Sequence, residues 1–284
     1  MQNSIFTIAV TLISRAFVVR DRLSGRFRLT RDVAGVQVSR HAIRRGAHLL
    51  DSVFVAPAQP PKAALLICHG IGEVVDHWLG AQQLLATHGV ASLVFDYSGY
   101  GKSGGTVDWR ACEDDAVAAF SLLQTLTPGV PISLLGFSMG SGIAGAILHR
   151  VSPVGLILCS AFTSFRDAAR VLGLPRSFAR VLPSIWSAHD TLSTCAVPVL
   201  IVHCERDRAF PVRMARELRS ICGEGDLAIV PEQAHNEPFS DPKMSYWRHV
   251  IDRLVPIGIF NATLRQYGFG AREAPTQKAP RRYR

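Results

Sequence analysis

The residue types best suited to chemistry are a serine, an aspartate and a histidine, which occur in this order along the chain. Ser138 is the central residue of a G-x-S-x-G motif at positions 136–140. A serine hydroxyl is a weak nucleophile until a neighbouring base takes its proton, and it projects from a tight strand-to-helix turn only where small residues flank it. The motif therefore favours Ser138 as the nucleophile of an acyl-transfer reaction.

A second G-x-S-x-G motif, at positions 101–105, makes the bare pattern ambiguous. Ser138 directly follows an apolar strand-like run and opens a helix-like segment, whereas Ser103 lies in a glycine-rich loop several residues past its strand. A nucleophilic serine of this kind requires the strand–turn–helix context. We therefore predict Ser138 and not Ser103.

Two nucleotide-binding motifs overlap the same loops, and neither is complete. Residues 140–145 fit the G-x-G-x-x-G fingerprint, but the next strand-like run ends in Cys159 and Ser160 instead of the acidic residue that a dinucleotide site needs. The phosphate-loop pattern at Gly101 lacks its first glycine, because Asp96 stands in that place. Both nucleotide sites are therefore rejected.

The general base and its acid partner are expected late in the chain. His235 follows the last strand-like run closely, and the loop after the preceding strand offers Asp207 and, as the alternative, Glu205. The acid accepts a hydrogen bond from the imidazole, fixes its tautomer and stabilises the imidazolium. Asp207 is preferred because it lies deeper in that loop. The order Ser, Asp, His differs from the orders of the two common serine protease types.

The oxyanion of an acyl-transfer intermediate needs two backbone donors. The amide of Met139, directly after the nucleophile, is one, and the amide of Ile71, in the glycine-containing loop 69–72, is the other. Losing one such donor typically costs about a hundredfold to a thousandfold in rate. His69 is expected to brace this loop and to take no part in the reaction.

The elements that must position these residues alternate between short apolar runs and longer helix-like segments. Such alternation predicts a mostly parallel sheet covered by helices on both faces. Residues 163–194 interrupt this alternation, because they contain no strand-like run, and they predict a small helical insert, or cap, over one end of the sheet. The predicted strands are 51–57, 63–68, 91–96, 132–136, 154–159, 198–203 and 227–230, and the predicted helices are 78–88, 109–126, 138–150, 212–222 and 245–254.

The net charge of +9 is concentrated at the two ends of the chain. Residues 1–45 hold nine arginines against Asp21 and Asp32, and residues 265–284 hold six basic residues against Glu273, whereas residues 46–264 hold 16 basic and 19 acidic residues. We predict a basic N-terminal extension at 1–45, a catalytic domain at 46–264 and a basic tail at 265–284. Solvated ends are favoured over nucleic-acid binding, and weak contact of the N-terminus with a membrane surface stays open.

The composition, 48% hydrophobic and 19% charged residues, excludes a disordered protein. The six cysteines form no C-x-x-C pair and no Cys/His metal spacing, which predicts reduced thiols and a cytoplasmic location. The predicted acyl transfer needs no metal and no organic cofactor. The apolar run at 5–13 is closed by Arg15 and is too short to span a membrane.

Taken together, these motifs resemble the α/β-hydrolase superfamily over roughly residues 50–255, with the strongest likeness to BEM46-like and ABHD17-type serine hydrolases. The resemblance implies the α/β-hydrolase fold, triad roles for Ser138, Asp207 and His235, and an oxyanion hole at Ile71 and Met139. Cys204 departs from the glycine that relatives usually carry after this strand. The matching pieces are residues 69–70, 95–103, 136–140, 159–164, 198–207 and 235–236.

The predicted function is hydrolysis of a small carboxylic ester or thioester through an acyl-enzyme, with the apolar insert favouring an acyl chain. Three alternatives stay open: an amidase or peptidase of the same fold, a catalytically silent module that binds a ligand, and a protein whose basic ends bind nucleic acid. The oligomeric state is not predicted.

Overall fold

The computed structural model describes residues 33–223 and 225–255. Its strands are β1 (Val36–Arg45), β2 (His48–Pro57), β3 (Ala63–Cys68), β4 (Val90–Phe95), β5 (Ile132–Phe137), β6 (Leu156–Cys159), β7 (Val199–Cys204) and β8 (Gly225–Val230). Its helices are α1 (Leu79–Thr87), α2 (Trp109–Leu126), α3 (Met139–Ala146), α4 (Phe165–Val171), α5 (Arg176–Ala179), α6 (Ala188–Ser193), α7 (Val212–Ile221), α8 (Glu237–Ser240) and α9 (Met244–Leu254), and a 3₁₀ turn (Val75–Trp78) precedes α1.

The strands form one eight-stranded sheet in the order β1-β2-β4-β3-β5-β6-β7-β8. Strand β2 pairs antiparallel with both β1 and β4, and all the other pairs are parallel. Every residue of β3 to β7 is buried, which explains their continuous apolar runs, since parallel strands are covered on both faces. Helices on the two faces enclose two hydrophobic clusters. The predicted mostly parallel sheet with helices on both faces is therefore confirmed.

Strand β1 lies within the residues that the sequence assigned to a basic extension, so the sheet begins ten residues before the predicted boundary at 46. β1 is an edge strand in which one residue, Ile43, is buried. Because most of its residues are polar or exposed, a search for apolar runs does not predict it. Two of its three arginines have acidic partners: Arg40 contacts Asp51 and Asp76, and Arg45 donates to the buried Asp115. The rest of the predicted extension and the predicted tail lie outside the described residues.

The segment between β6 and β7 contains three short helices, α4, α5 and α6. It leaves the sheet after β6, and the part that carries α4 and α5 is closed where the Ala188 amide, at the start of α6, donates to the Thr163 carbonyl at 2.9 Å. Over the residues that are described, no helix is long and apolar enough to cross a bilayer.

Candidate functional site

Ser138 lies in the turn between β5 and α3, with φ 52° and ψ −118°, a positive φ that a non-glycine residue rarely adopts. Gly136 and Gly140 permit this turn. A Cβ atom added to Gly136 would lie 2.4 Å from the Gly140 carbonyl oxygen, and one added to Gly140 would lie 1.9 Å from the Cys68 carbonyl oxygen. Glycine is therefore needed at both positions of the motif, because a side chain there would collide with the start of α3 or with the end of β3.

His235 comes from the loop after β8 and Asp207 from the loop after β7, and His235 lies between Asp207 and Ser138. The His235 Nδ1 atom lies 2.7 Å from Asp207 Oδ2, and its Nε2 atom lies 3.1 Å from Ser138 Oγ. Because an ionised carboxylate only accepts hydrogen bonds, the ring carries its proton on Nδ1, and Nε2 accepts from the serine hydroxyl. The structure thus brings the three residues together in one hydrogen-bonded chain.

The surroundings of Asp207 favour its ionised form. Its side chain is buried, which alone would raise its pKa, but the hydrogen bond and charge of His235, together with the Phe210 amide, lower the pKa on balance. The Ala209 and Phe210 amides both donate to Oδ1 at 2.8 Å. Glu205, the alternative acid, is exposed on the same loop.

Aromatic rings hold the imidazole of His235 from two sides. Its ring centroid lies 5.2 Å from that of Phe137 and 5.5 Å from that of Phe210, while 18% of its side chain remains exposed. Packing of this kind restricts the rotation of the ring and leaves one edge open to solvent. The base is therefore fixed in place at a site that an external molecule can reach.

The loop after β3 carries Ile71 and lies against Ser138, because a Cβ atom added to Gly70 would lie 3.2 Å from the Ser138 Cβ atom. Met139 is the first residue of α3, so its amide has no acceptor within the helix. Within the described parts of the chain, neither the Ile71 nor the Met139 amide donates a hydrogen bond. Both predicted donors therefore belong to backbone segments beside the serine.

His69 fixes the peptide plane that carries the Ile71 amide. Its Nδ1 atom donates to the Gly70 carbonyl at 2.8 Å, and its ring is fully buried and packs on Tyr97. Burial lowers the pKa of His69 to about 4, so the ring is neutral at ordinary pH. The expectation that His69 braces this loop agrees with these contacts.

Glu73 is a buried carboxyl group that the sequence reasoning missed. Its Oε2 atom accepts hydrogen bonds from the Gly70 amide and from Trp78 Nε1, both at 2.9 Å. Burial raises its pKa to about 8, although these two hydrogen bonds act in the opposite direction. A lone acid between the apolar residues Ile71 and Val74 was the available signal, because such a side chain needs nearby donors when it is buried.

The remaining chemically interesting residues have structural contacts. Ser103 donates to the Asp96 carbonyl at 2.6 Å and accepts from the Asp51 amide, so its hydroxyl is used within the fold. His203 is buried and its Nε2 atom bonds the Phe210 carbonyl. All six cysteines are free thiols, and no group of three or more metal-binding side chains occurs in the part of the chain that is described.

Comparisons with known proteins find partial similarity to hydrolases. A family model described as serine aminopeptidase, S33, matches residues 59–192. The lysophosphatidylserine lipase ABHD12 of Macaca fascicularis is 28% identical over 180 residues, which cover 56% of this chain and 45% of the lipase. The uncharacterized protein Rv2307c of Mycobacterium tuberculosis is also 28% identical over 180 residues, covering 62% of this chain and 63% of that protein. The chain thus spans about half to two thirds of the length of these relatives.

Solved structures share the fold. Est1E from Butyrivibrio proteoclasticus, determined with ferulic acid bound, aligns with a TM-score of 0.63 and 20% identity over 78% of this chain and 99% of its own. The proline iminopeptidase of Mycobacterium smegmatis aligns with a TM-score of 0.63 and 18% identity over 78% of this chain and all of its own. The structure therefore has the α/β-hydrolase fold, and the chain is similar over part of its length to proteins described as lipases and esterases.

Proposed function

We propose that this protein is a serine hydrolase that cleaves carboxylic ester or thioester bonds through an acyl-enzyme. The observation that carries the proposal is the hydrogen-bonded chain from Ser138 Oγ through His235 to the buried Asp207, with the serine held at a positive φ. Nucleophile, base and orienting acid within hydrogen-bond reach are the arrangement that activates a serine hydroxyl. The narrower likeness to BEM46-like and ABHD17-type hydrolases stays a prediction.

In the proposed mechanism, His235 Nε2 takes the proton of Ser138 as Oγ attacks the carbonyl carbon of the substrate. Asp207 stabilises the imidazolium that forms. The amides of Ile71 and Met139 donate to the oxyanion of the tetrahedral intermediate. His235 then gives its proton to the leaving alcohol or thiol, and the bond to the leaving group breaks.

The second half of the reaction repeats these roles with water. His235 takes a proton from a water molecule that attacks the acyl-enzyme carbonyl, and the collapse of the second tetrahedral intermediate returns the proton to Ser138 Oγ. The products are the carboxylic acid and the free hydroxyl of the enzyme. The whole reaction uses only the residues named, the substrate and one water molecule.

An amidase or peptidase is the second candidate function. The match of residues 59–192 to a model described as serine aminopeptidase supports it. The same residues would act, but the leaving amine must be protonated before it departs, which makes the amide harder to cleave. Turnover of an acyl p-nitrophenyl ester against the p-nitroanilide of the same acyl group separates the two functions.

The test is labelling of the purified chain with a fluorophosphonate probe, alongside hydrolysis of p-nitrophenyl esters and acyl thioesters of increasing chain length. We expect labelling and turnover of the unmodified protein, and loss of both in Ser138→Ala. Ser103→Ala, which alters the second G-x-S-x-G motif, is the matched control and should keep both. A folded unmodified protein without labelling or turnover would reject the proposal in favour of a silent binding module.

A further inference from the structure

The segment that contains α4 and α5 exposes a group of large apolar side chains. Six large hydrophobic residues are exposed in the described part of the chain, and three of them, Leu172, Phe178 and Val181, lie within ten residues of each other, at 64%, 62% and 67% exposure. The Val181 amide donates to the Phe178 carbonyl at 3.1 Å, which places these two residues one helical turn apart on the same side. Exposed apolar residues that cluster in this way mark an interaction surface.

Arginines converge on a recess beside these apolar residues. The recess has a volume of about 390 Å³, and we call it the basic recess; its lining residues are Ser164, Arg166, Asp167, Arg170, Arg176, Ala179 and Arg180. Arg166 donates to the Leu182 carbonyl, and Arg170 pairs with Asp167. Arg176 and Arg180 are exposed, and neither guanidinium group makes a hydrogen bond or ion pair with another described residue. Two guanidinium groups are therefore available to an external anion.

The charge of this region is opposite to that of the surrounding domain. Residues 163–187 contain four arginines and one acid, Asp167, whereas residues 46–264 as a whole contain more acidic than basic residues. Guanidinium groups bind phosphate oxygens through paired hydrogen bonds. Leucine, phenylalanine and valine side chains enter the boundary between lipid head groups and acyl chains. The surface thus combines the two contacts that an anionic phospholipid bilayer offers together.

We propose that the helices α4 and α5 dock on the surface of a bilayer containing anionic phospholipids, with a lipid phosphate in the basic recess and Leu172, Phe178 and Val181 in the interfacial layer. The segment leaves the sheet directly after β6, whose carboxyl end adjoins the end of β5 that carries Ser138. Docking therefore brings the lipid to the edge of the sheet where the site lies. We infer from this arrangement that the substrates are acyl esters embedded in a membrane, and this part of the inference rests on the proposed function.

The test is co-sedimentation of the full chain carrying Ser138→Ala with vesicles of phosphatidylcholine, alone or with about a quarter of phosphatidylglycerol. We expect binding to the anionic vesicles that weakens as salt is added. Since each basic residue near an anionic surface contributes on the order of 1 kcal/mol, Arg176→Gln with Arg180→Gln should weaken binding at least tenfold. Leu172→Ser with Phe178→Ser and Val181→Ser should also weaken it.

The controls separate this surface from the basic ends of the chain. Arg213→Gln with Arg216→Gln removes the same charge from exposed positions on α7, and Val154→Ser removes an exposed apolar side chain elsewhere. Both controls should bind as the parent does. If the α4–α5 variants also bind as the parent does, or if inorganic phosphate but no vesicle binds, the proposal is overturned.

Activity provides an independent readout when Ser138 is intact. The α4–α5 variants should hydrolyse a water-soluble short-chain ester at the parent rate and lose turnover of an acyl ester embedded in anionic vesicles. Equal turnover of the embedded ester by variants and parent would contradict the docking proposal. Absence of soluble-ester turnover in every protein would instead reject the proposed function, while the vesicle-binding result would still decide the docking proposal.

Discussion

The Gly70 amide donates a 2.9 Å hydrogen bond to Glu73, three residues further along the same loop. The carboxyl group also lies close to the nucleophile, because a Cβ atom added to Gly70 would lie 2.3 Å from Glu73 Oε1 and 3.2 Å from the Ser138 Cβ atom. A buried acid with a pKa raised to about 8 thus adjoins the proposed oxyanion hole. We therefore expect both the stability and the activity of the protein to depend on whether Glu73 is protonated, and hence on pH.

The first prediction concerns stability. The pKa of Glu73 rises from 4.5 to about 8 on folding, so between these values the folded state holds a proton that the unfolded state has released. The contribution of this group to the free energy of unfolding is therefore largest below about pH 4.5. It falls as the pH rises toward 8, by up to about 1.4 kcal/mol per pH unit. Urea unfolding of Glu73→Gln should show a flatter decline over this range than the parent. Parallel curves would contradict the raised pKa.

The second prediction concerns turnover at alkaline pH. Ionised Glu73 places a negative charge beside the site where the proposed oxyanion forms, and like charges repel. Turnover of a soluble ester by the parent should therefore decline above about pH 8. Glu73→Gln should lose this decline, because its side chain stays neutral. A decline of equal size in both proteins would assign it to another group.

The third prediction concerns the orienting acid. Asp207→Asn can no longer favour the His235 tautomer that accepts from Ser138, and a loss of about 10⁴-fold in kcat is expected. Glu205→Gln, an exposed change on the same loop, is the matched control and should keep its activity. Unfolding curves of both variants should show folded proteins. Retained activity in Asp207→Asn would remove this residue from the proposed mechanism.

The fourth prediction concerns the peptide that carries the Ile71 amide. His69→Phe keeps the ring volume but removes the donor to the Gly70 carbonyl, so the amide loses its fixed orientation. We expect kcat to fall by about tenfold to a thousandfold, up to the cost of losing one oxyanion donor, with little change in KM. His69→Asn, which can donate in a similar direction, should recover part of the loss. Equal losses in both variants would point to packing alone.

The fifth prediction concerns the turn beneath the nucleophile. Gly140→Ala would place a methyl group 1.9 Å from the Cys68 carbonyl oxygen, which is rigid backbone. Overpacking of this kind typically costs about 1–3 kcal/mol, and more where backbone must move, so this variant should unfold at much lower urea or fail to fold. Gly223→Ala is the control, since its added methyl group meets nothing within 4 Å. Similar midpoints would contradict the packing described.

Sequence reasoning succeeded where the signal is local. Strands such as β3 and β5 are buried on both faces, so their apolar runs reveal them directly. The Ser138 turn was predictable because the motif itself, a serine with glycines at two fixed positions, is found within five residues of sequence. The choice of Asp207 over Glu205 depended on depth in a loop, and the contact with His235 agrees with that choice.

The features that sequence reasoning missed depend on partners far along the chain. Strand β1 is recognisable only through its pairing with β2 and through acids such as Asp115, which lies 70 residues from Arg45. Glu73 became a candidate only when Trp78 and Gly70 were found to donate to it. The spacing of polar residues along a sequence does not show whether a polar side chain is exposed to solvent or is buried with hydrogen-bond partners.

The hydrogen bond between the Ala188 amide and the Thr163 carbonyl closes the neck of the segment that contains α4 and α5. Since the chain departs and returns at one point, we expect the pairing of β6 with β7 to tolerate a change in the number of residues between Thr163 and Ala188. The loop-closure cost of a longer segment grows only slowly with length. We therefore expect that residues 164–187 can be replaced by segments of other lengths, which would change the surface beside the candidate site while the sheet stays the same.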